Sequence, residues 1–540
     1  MECGGTDTAL PGACDQAPGS QSAGVAAALQ RAGRVRRAAA AMLAGLLAGC
    51  GAGSLPPAPP AALEQITPEA FAAHVGVLAD PNLGGRMTGT PEHDRAGEYI
   101  VRQFDAAGLK PAGDDGGWYQ PFPAANLRVP AKGCFLSYRR ADGPSGPARA
   151  MLDAEFSAMA SGTSGAFRGP LVFAGYGVHN RIRGYDDYAS VSAAGAVAMV
   201  LQGEPHDRAG RSRWGVGTPW TRLASVDYKL HKAAEEGALA VLVVTPPDIS
   251  PEHDPLCDVL GDGTGPLPAM RISRALADRL LAAGGKGRTL AELVGRIHET
   301  NQPMSLPVGV EVAGEVDLAP GAGRNVIGSL PPEQGSGGPV VVIGAHYDHI
   351  PPTGRLAKDK ARGFGVRPGA DDNASGVSAM VVVARALART PGRRCTFLFV
   401  AFSGEEIGFL GSKHFAAQPT VGRDRLAAMV NIDQVGHVRN GRVMVIGRTE
   451  TGPCARAVRL AAGQVPALKV ARVPFTNRHG WSDQAAFALA GIPTLFFYCG
   501  RTKLYHTMDD TAGRIPAPAA ASVARLIYHT ARALDATLLR

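Results

Sequence analysis

From Asn325 onward the sequence repeats one pattern: a short apolar run, a loop carrying acids or histidines, then a helix-like stretch. Apolar runs predict strands at 340–343, 396–402, 428–432, 443–446 and 494–498, and helical spacing predicts helices over 375–387, 483–489 and 519–534. Strands alternating with helices predict an α/β fold, a mostly parallel mixed sheet flanked by helices on both faces. In such sheets ligands gather in the crevice beyond the carboxyl ends of the strands. His346, Glu405, Glu406 and Asp433 each follow a predicted strand closely, which places them at one such crevice.

Five short motifs carry the polar residues: Ala345-His346-Tyr347-Asp348, Gly369-Ala370-Asp371-Asp372-Asn373, Ser403-Gly404-Glu405-Glu406, Asn431-Ile432-Asp433 and Tyr505-His506. Each alone has an ordinary reading. A histidine two residues before an aspartate can be a surface pair, and so can His506 beside Asp509. Asp371 to Ser375 can simply cap the next helix. The adjacent Glu405 and Glu406 can be a solvated loop. Together the motifs supply two imidazoles, three acidic ligands and one acid to spare. That set suits a pair of divalent cations beside a general base. Imidazole and carboxylate without thiolate suit zinc, with manganese and cobalt as alternatives.

The rest of the chain sets the frame. At 540 residues it exceeds one comfortable core, so two substantial domains are expected. Hydrophobic residues at 45% and charged residues at 19% describe a globular protein. The net charge of +8 comes from scattered Lys and Arg, which speaks for a basic surface and against a nucleic-acid partner. The eight cysteines form no paired zinc-site spacing and no disulfide framework.

Residues 1–50 read as a leader. Arg31, Arg34, Arg36 and Arg37 precede an apolar run over 38–47, and Leu47-Ala48-Gly49-Cys50 resembles a bacterial lipobox. A plain signal peptide with a chance cysteine, or a buried alanine-rich helix, are the competing readings. The lipobox implies cleavage before Cys50, acylation of its thiol and a lipid anchor. Gly51 after the cysteine implies the outer membrane facing the periplasm, with a periplasmic or secreted protein as the alternative. Residues 1–30 fit no leader, so translation is expected to start downstream of Met1. Residues 51–66 form a proline-rich tether. Residues 67–126 are expected to begin the catalytic domain, 127–311 to form an inserted domain, and 312–540 to complete the catalytic domain. In 127–311 short strand-like runs alternate with Gly- and Asp-rich turns, and no acid–histidine cluster is expected there.

With those motifs in place the chain resembles the co-catalytic di-zinc aminopeptidases, the group of bacterial leucyl aminopeptidases, aminopeptidase Y and glutamate carboxypeptidase. The loop Gly85-Arg86-Met87-Thr88-Gly89 and the run Ala107-Gly108-Leu109-Lys110-Pro111 share the resemblance. Phe173-Ala174-Gly175-Tyr176-Gly177 and Gly184-Tyr185-Asp186-Asp187-Tyr188 resemble a protease-associated (PA) domain, expected to be β-rich. The resemblance implies two Zn2+. His346 and Asp433 would hold one, Glu406 and His506 the other, and Asp372 would bridge them beside a cis Asp372–Asn373 peptide. Glu405 would be the general base, and Asp348 would orient His346. It implies an exopeptidase that removes N-terminal residues from peptides. Ser482-Asp483-Gln484 and Asp433-Gln434-Val435-Gly436-His437 depart from the family's common Ser-Asp-His and Asp-Met-Ile-Gly-Arg, near where a substrate side chain is expected. The alternatives are a carboxypeptidase or dipeptidase of the same family, with Arg478 and Arg501 as candidates for a substrate carboxylate, or a non-catalytic receptor-like relative. Intact ligands and Glu405 argue against the last.

Overall fold

The computed structural model describes residues 55–539 apart from 132, 142, 144–145, 207–211, 215–220, 249–262, 334, 336, 352–365 and 477–479. The leader, Cys50, tether residues 51–54 and Arg478 therefore lie outside the described residues.

Nine strands build the larger sheet. In chain order they are β1 (Lys110–Pro111), β2 (Tyr119–Pro130), β3 (Leu318–Leu330), β4 (Val340–His346), β5 (Thr396–Phe402), β6 (Leu426–Ile432), β7 (Arg442–Gly447), β8 (Lys469–Pro474) and β9 (Thr494–Tyr498). Across the sheet the order is β1–β3–β5–β4–β6–β9–β7–β8, and β2 also pairs with β3. The central strands β5, β4, β6 and β9 run parallel, and antiparallel β3 and β7 flank them.

Every residue of β4, β5 and β9 is buried, as unbroken apolar runs require when both faces are covered. The helices Ser375–Ala388 and Ala517–Thr537 cover one face. Ser375–Ala388 is apolar almost all round, so it can be stable only in a core. On the other face Phe402 meets Phe415 and Phe487, brought by helices Leu410–Ala417 and Gln484–Leu489.

The strands expected at 396–402 and 494–498 match β5 and β9 residue for residue. β4 runs three residues further than its apolar stretch and ends on His346. β3 was not expected, because Pro320, Gly321 and Gly323 give it the composition of a loop. Its ladder with β2 shifts register between Pro320 and Gly321, which accommodates them.

A second, eight-stranded sheet is built from residues 135–316. Strands Gly165–Ala174, Val197–Leu201, Ala240–Val244 and Ala269–Ile272 are parallel neighbours at its centre. Helices Val226–Glu235, Arg274–Ala283 and Leu290–Thr300 accompany them. Each helix begins at a Ser or Thr whose side chain caps a backbone N–H, and Thr289 with Glu292 forms a full capping box. This region is thus rich in strands, as expected, and the helix Val226–Glu235 followed by the strand Ala240–Val244 supplies the α/β element read at 229–244. Parallel neighbours need crossovers, and the helix Val226–Glu235 makes the one between Val197–Leu201 and Ala240–Val244. The strand Tyr119–Pro130 stays with the larger sheet up to Pro130. Among the described residues no helix is long and apolar enough to cross a membrane.

Candidate metal centre

The loop Gly85 to Gly89 holds the centre together from behind. Arg86 is fully buried, and its guanidinium donates to the carbonyls of Tyr347 (3.0 Å), Pro368 (2.7 Å), Gly369 (3.1 Å) and Leu78. One planar cation therefore ties the loop after β4 to the loop before Asp372. Burial lowers the Arg86 pKa to about 10, while Asp348, Asp372, Asp510 and Glu406 work to keep it charged. Gly85 has φ +84°, and a Cβ there would lie 2.4 Å from the carbonyl oxygen of Ile350. Only glycine permits that approach. Thr88 completes the brace: its hydroxyl accepts from the Gly404 N–H at 2.9 Å and meets the Ser403 hydroxyl at 3.2 Å.

Three strand ends and two loops then bring the polar residues together. His346 Nδ1 lies 3.1 Å from the Asp348 carbonyl oxygen, and a carbonyl only accepts, so Nδ1 carries the proton. Nε2 is thereby turned toward Asp372 Oδ1 at 3.4 Å and Asp433 Oδ1 at 3.5 Å. On the other side of Asp372, Oδ2 lies 3.1 Å from His506 Nε2, which also faces Glu406 Oε2 at 3.3 Å. Donor atoms held about 2.0–2.1 Å from one tetrahedral ion are about 3.3 Å from each other. Both clusters have that spacing. His346 Nε2, Asp433 Oδ1 and His506 Nε2 are buried and have no hydrogen-bond partner, which fits atoms that face a cation.

Backbone donors fix the bridging loop. The Asp510 carboxylate accepts the N–H groups of Asp371 (2.9 and 3.1 Å) and Asp372 (3.2 Å). Asn373 donates to the Ile432 carbonyl at 2.9 Å and accepts from Gly376 N–H at 2.9 Å. The Asp372–Asn373 peptide is cis. Gly369, at φ +59°, leaves room for the Asp372 carbonyl and the His349 ring, which a Cβ would approach to 2.3 and 2.6 Å.

The charges are tightly coupled. Burial would raise the Asp372 pKa, but the facing His346 and His506 rings, with His349 nearby, pull it well below the usual carboxylate range. Burial and Asp372 push Glu406 up, yet His349 and His506 hold it down at about 2. Glu405 goes the other way: burial, with Glu406 and Asp433 nearby, raises it well above an ordinary glutamate. Two adjacent carboxylates are thus driven apart in proton affinity. Burial opposes a charge on His506, but Asp372 and Glu406 raise its pKa to about 9.

The structure brings His346, Asp372, Glu406, Asp433 and His506 together, with Glu405 buried beside them. Asp348 sits differently from its expected place. Its carboxylate is 3.9 Å from His346 Nδ1 and accepts instead from the N–H groups of Glu405 (3.2 Å) and Glu406 (3.4 Å). The His346 tautomer is set by the Asp348 carbonyl, and the side chain positions the Glu405–Glu406 loop. Ser482, Asp483 and Gln484 are fully buried, and Asn431 donates to Ser482 Oγ at 2.9 Å and to Gln484 Oε1 at 2.7 Å. Ser482 and Gln484 thereby brace strand β6 through Asn431. Arg501 stacks on the Tyr505 ring at 4.0 Å, and Tyr505 stacks on His506.

Sequence reasoning missed His349. Its Nδ1 is 2.8 Å from Glu406 Oε1 and 3.9 Å from Asp372 Oδ2, so it joins the His506 cluster. The available signal was its place three residues after His346 on the same loop. The expectation of no acid–histidine cluster in 127–311 is also overturned: His206, Asp248 and His298 converge there. His206 and Asp248, 42 positions apart in sequence, follow neighbouring parallel strands, and His298 joins them from the last turns of the helix Leu290–Thr300.

Residues 325–531 match the family model of Peptidase family M28. The likeness to M28 peptidases lies over this stretch. Aminopeptidase YwaD of Bacillus subtilis is 28% identical over 202 residues, covering 36% of this chain and 40% of that protein. The Probable lipoprotein aminopeptidase LpqL of Mycobacterium tuberculosis is 24% identical over 451 residues, 81% of this chain and 74% of that protein. BSAP, a zinc aminopeptidase from Bacillus subtilis, aligns in structure over 86% of this chain and 94% of its own at 19% identity and a TM-score of 0.48. The chain therefore spans less than two thirds of the length of YwaD. The M28 match begins inside β3 and contains each of the converging residues from His346 to His506.

Two outcomes follow for this centre. Arg86→Met removes the donor from four inward carbonyls, and each buried polar group left unpaired costs about 1–3 kcal/mol. Urea unfolding should show a loss of at least about 3 kcal/mol; an unchanged midpoint contradicts the brace. In metal-free protein the His506 pKa is raised above its ordinary 6.5, so its stabilising contribution is complete below that value and is lost as pH rises through about 9. The melting temperature of chelated protein should fall across that interval, and His506→Ala should flatten the fall.

Proposed function

We propose that the chain is a metal-dependent aminopeptidase that removes N-terminal residues from peptides, with two Zn2+ at this centre. One observation carries the reading: Asp372 presents one oxygen to His346 and the other to His506, so a single carboxylate serves two clusters. His346 and Asp433 would hold one ion, Glu406 and His506 the other, and Asp372 both. The donor set of imidazole and carboxylate suits zinc and is compatible with manganese or cobalt. Bound there, the ions would polarise the scissile carbonyl and make the attacking water more acidic.

The chain's own residues would do the rest. Glu405 is adjacent to a ligand, buried and raised in proton affinity, which suits a base that takes a proton and gives it back. It would remove a proton from water as the oxygen bonds to the carbonyl carbon, then deliver it to the amine as the C–N bond breaks. Asp348 would keep Glu405 and Glu406 in register through their backbone N–H groups. His349 would orient Glu406.

Residues 135–316, lying between the two parts of the catalytic domain, would serve as a PA-type accessory domain. The lipobox-like sequence ending at Cys50 supports a lipid-anchored or secreted envelope protein, as does the likeness to a probable lipoprotein aminopeptidase.

Glu405→Gln should retain metal and lose turnover of an aminoacyl-nitroanilide by about 10²–10⁴-fold. Near-normal turnover rejects the base. Preference for N-blocked peptides over free N-termini rejects the aminopeptidase assignment.

A further inference from the structure

The second sheet carries a cluster that the peptidase centre does not use. His206 follows the strand Val197–Leu201, Asp248 follows the neighbouring parallel strand Ala240–Val244, and His298 lies in the last turns of the helix Leu290–Thr300. All three therefore stand at the carboxyl end of the parallel strands, where α/β sheets collect ligands. His206 Nε2 is 3.0 Å and His298 Nδ1 3.3 Å from the same oxygen, Asp248 Oδ2.

The tautomers decide what that convergence means. His206 Nδ1 is 2.9 Å from the Glu204 carbonyl oxygen, which can only accept, so the proton sits on Nδ1 and the Nε2 lone pair of the neutral ring faces Asp248. His298 Nε2 is 2.9 Å from the Tyr176 hydroxyl, which can accept its proton and leave the Nδ1 lone pair facing the same carboxylate. Burial, His206 and Arg213 lower the proton affinity of His298 against the pull of Asp248. A second proton on each ring would place two imidazolium ions beside one carboxylate, with the Arg213 guanidinium already on the carbonyls of His206 (3.2 Å) and His298 (2.6 Å).

A single cation resolves the arrangement. The ligand-atom spacings of 3.0 and 3.3 Å lie just below and at the tetrahedral edge of about 3.3 Å. An orienting hydrogen bond on the far nitrogen of each histidine is the usual support of a metal-binding imidazole. His206 is buried, while Asp248 is 38% exposed and leaves a way in from solvent.

We propose that His206, Asp248 and His298 form a separate mononuclear site for a divalent transition cation, of which zinc is the probe. It shares no residue with the peptidase centre. Three protein ligands leave a fourth position for water, and the ion ties two strand-end loops to a helix end.

The test is elemental analysis of full-length protein loaded with Zn2+ and dialysed, comparing the parent with His298→Ala and Asp248→Asn. Each variant should hold one zinc per chain fewer than the parent while aminoacyl-nitroanilide turnover stays within about twofold. On the unsubstituted protein, added Zn2+ should protect His298 from diethylpyrocarbonate, read by peptide mass spectrometry. Equal zinc in all three proteins, or His298 labelling that zinc leaves unchanged, overturns the site and leaves a hydrogen-bonded carboxylate–histidine cluster. The difference between parent and variant is read whatever the peptidase centre holds, so failure here and failure of the peptidase assignment are distinguishable.

Discussion

The structure depends on one carboxylate placed between two imidazoles. Asp372 is buried with His346 on one oxygen and His506 on the other. Asp433, Glu405 and Glu406 crowd the same crevice. So much negative charge removed from water is tolerable only where positive charge compensates it. Without ions, protons on His346 and His506 do part of that work, which is why burial fails to depress their proton affinities. With ions, the same nitrogens become ligands. Proton and cation compete for one set of lone pairs.

Holding that set in place falls partly to residues outside the M28 match. Arg86 and Thr88 belong to a loop some 250 positions before β4, yet they bond the segments on which His346, Asp372 and Glu405 stand. A buried guanidinium with several carbonyl acceptors gives a rigid brace, since its plane fixes direction as well as distance. The stretch that matches M28 is therefore tied to the chain's earlier part by these bonds. Strands β1 and β2, which pair with β3, lead to the same conclusion.

Much of this was legible in the sequence, for identifiable reasons. β5 and β9 are unbroken apolar runs bounded by polar residues, so their limits were clear. The residues at their ends were legible as a group because a parallel sheet aims successive strand ends at one crevice. β3 was hidden by Pro320 and its glycines. Helices Leu410–Ala417 and Gly452–Ala462 were hidden by shortness and by a Gly-Pro start. Asp348 was placed correctly near His346 but given the wrong contact, since its carbonyl and its carboxylate point to different partners. The His206–Asp248–His298 cluster was invisible because its members share no local motif: two follow neighbouring parallel strands and the third ends a helix.

The most direct test of the account is the metal content of Asp372→Ala against the parent, measured by elemental analysis on protein loaded with Zn2+. A carboxylate shared by two clusters predicts that both ions of the peptidase centre are lost together, with the fold retained by circular dichroism. Loss of a single ion, or none, contradicts the shared role of Asp372.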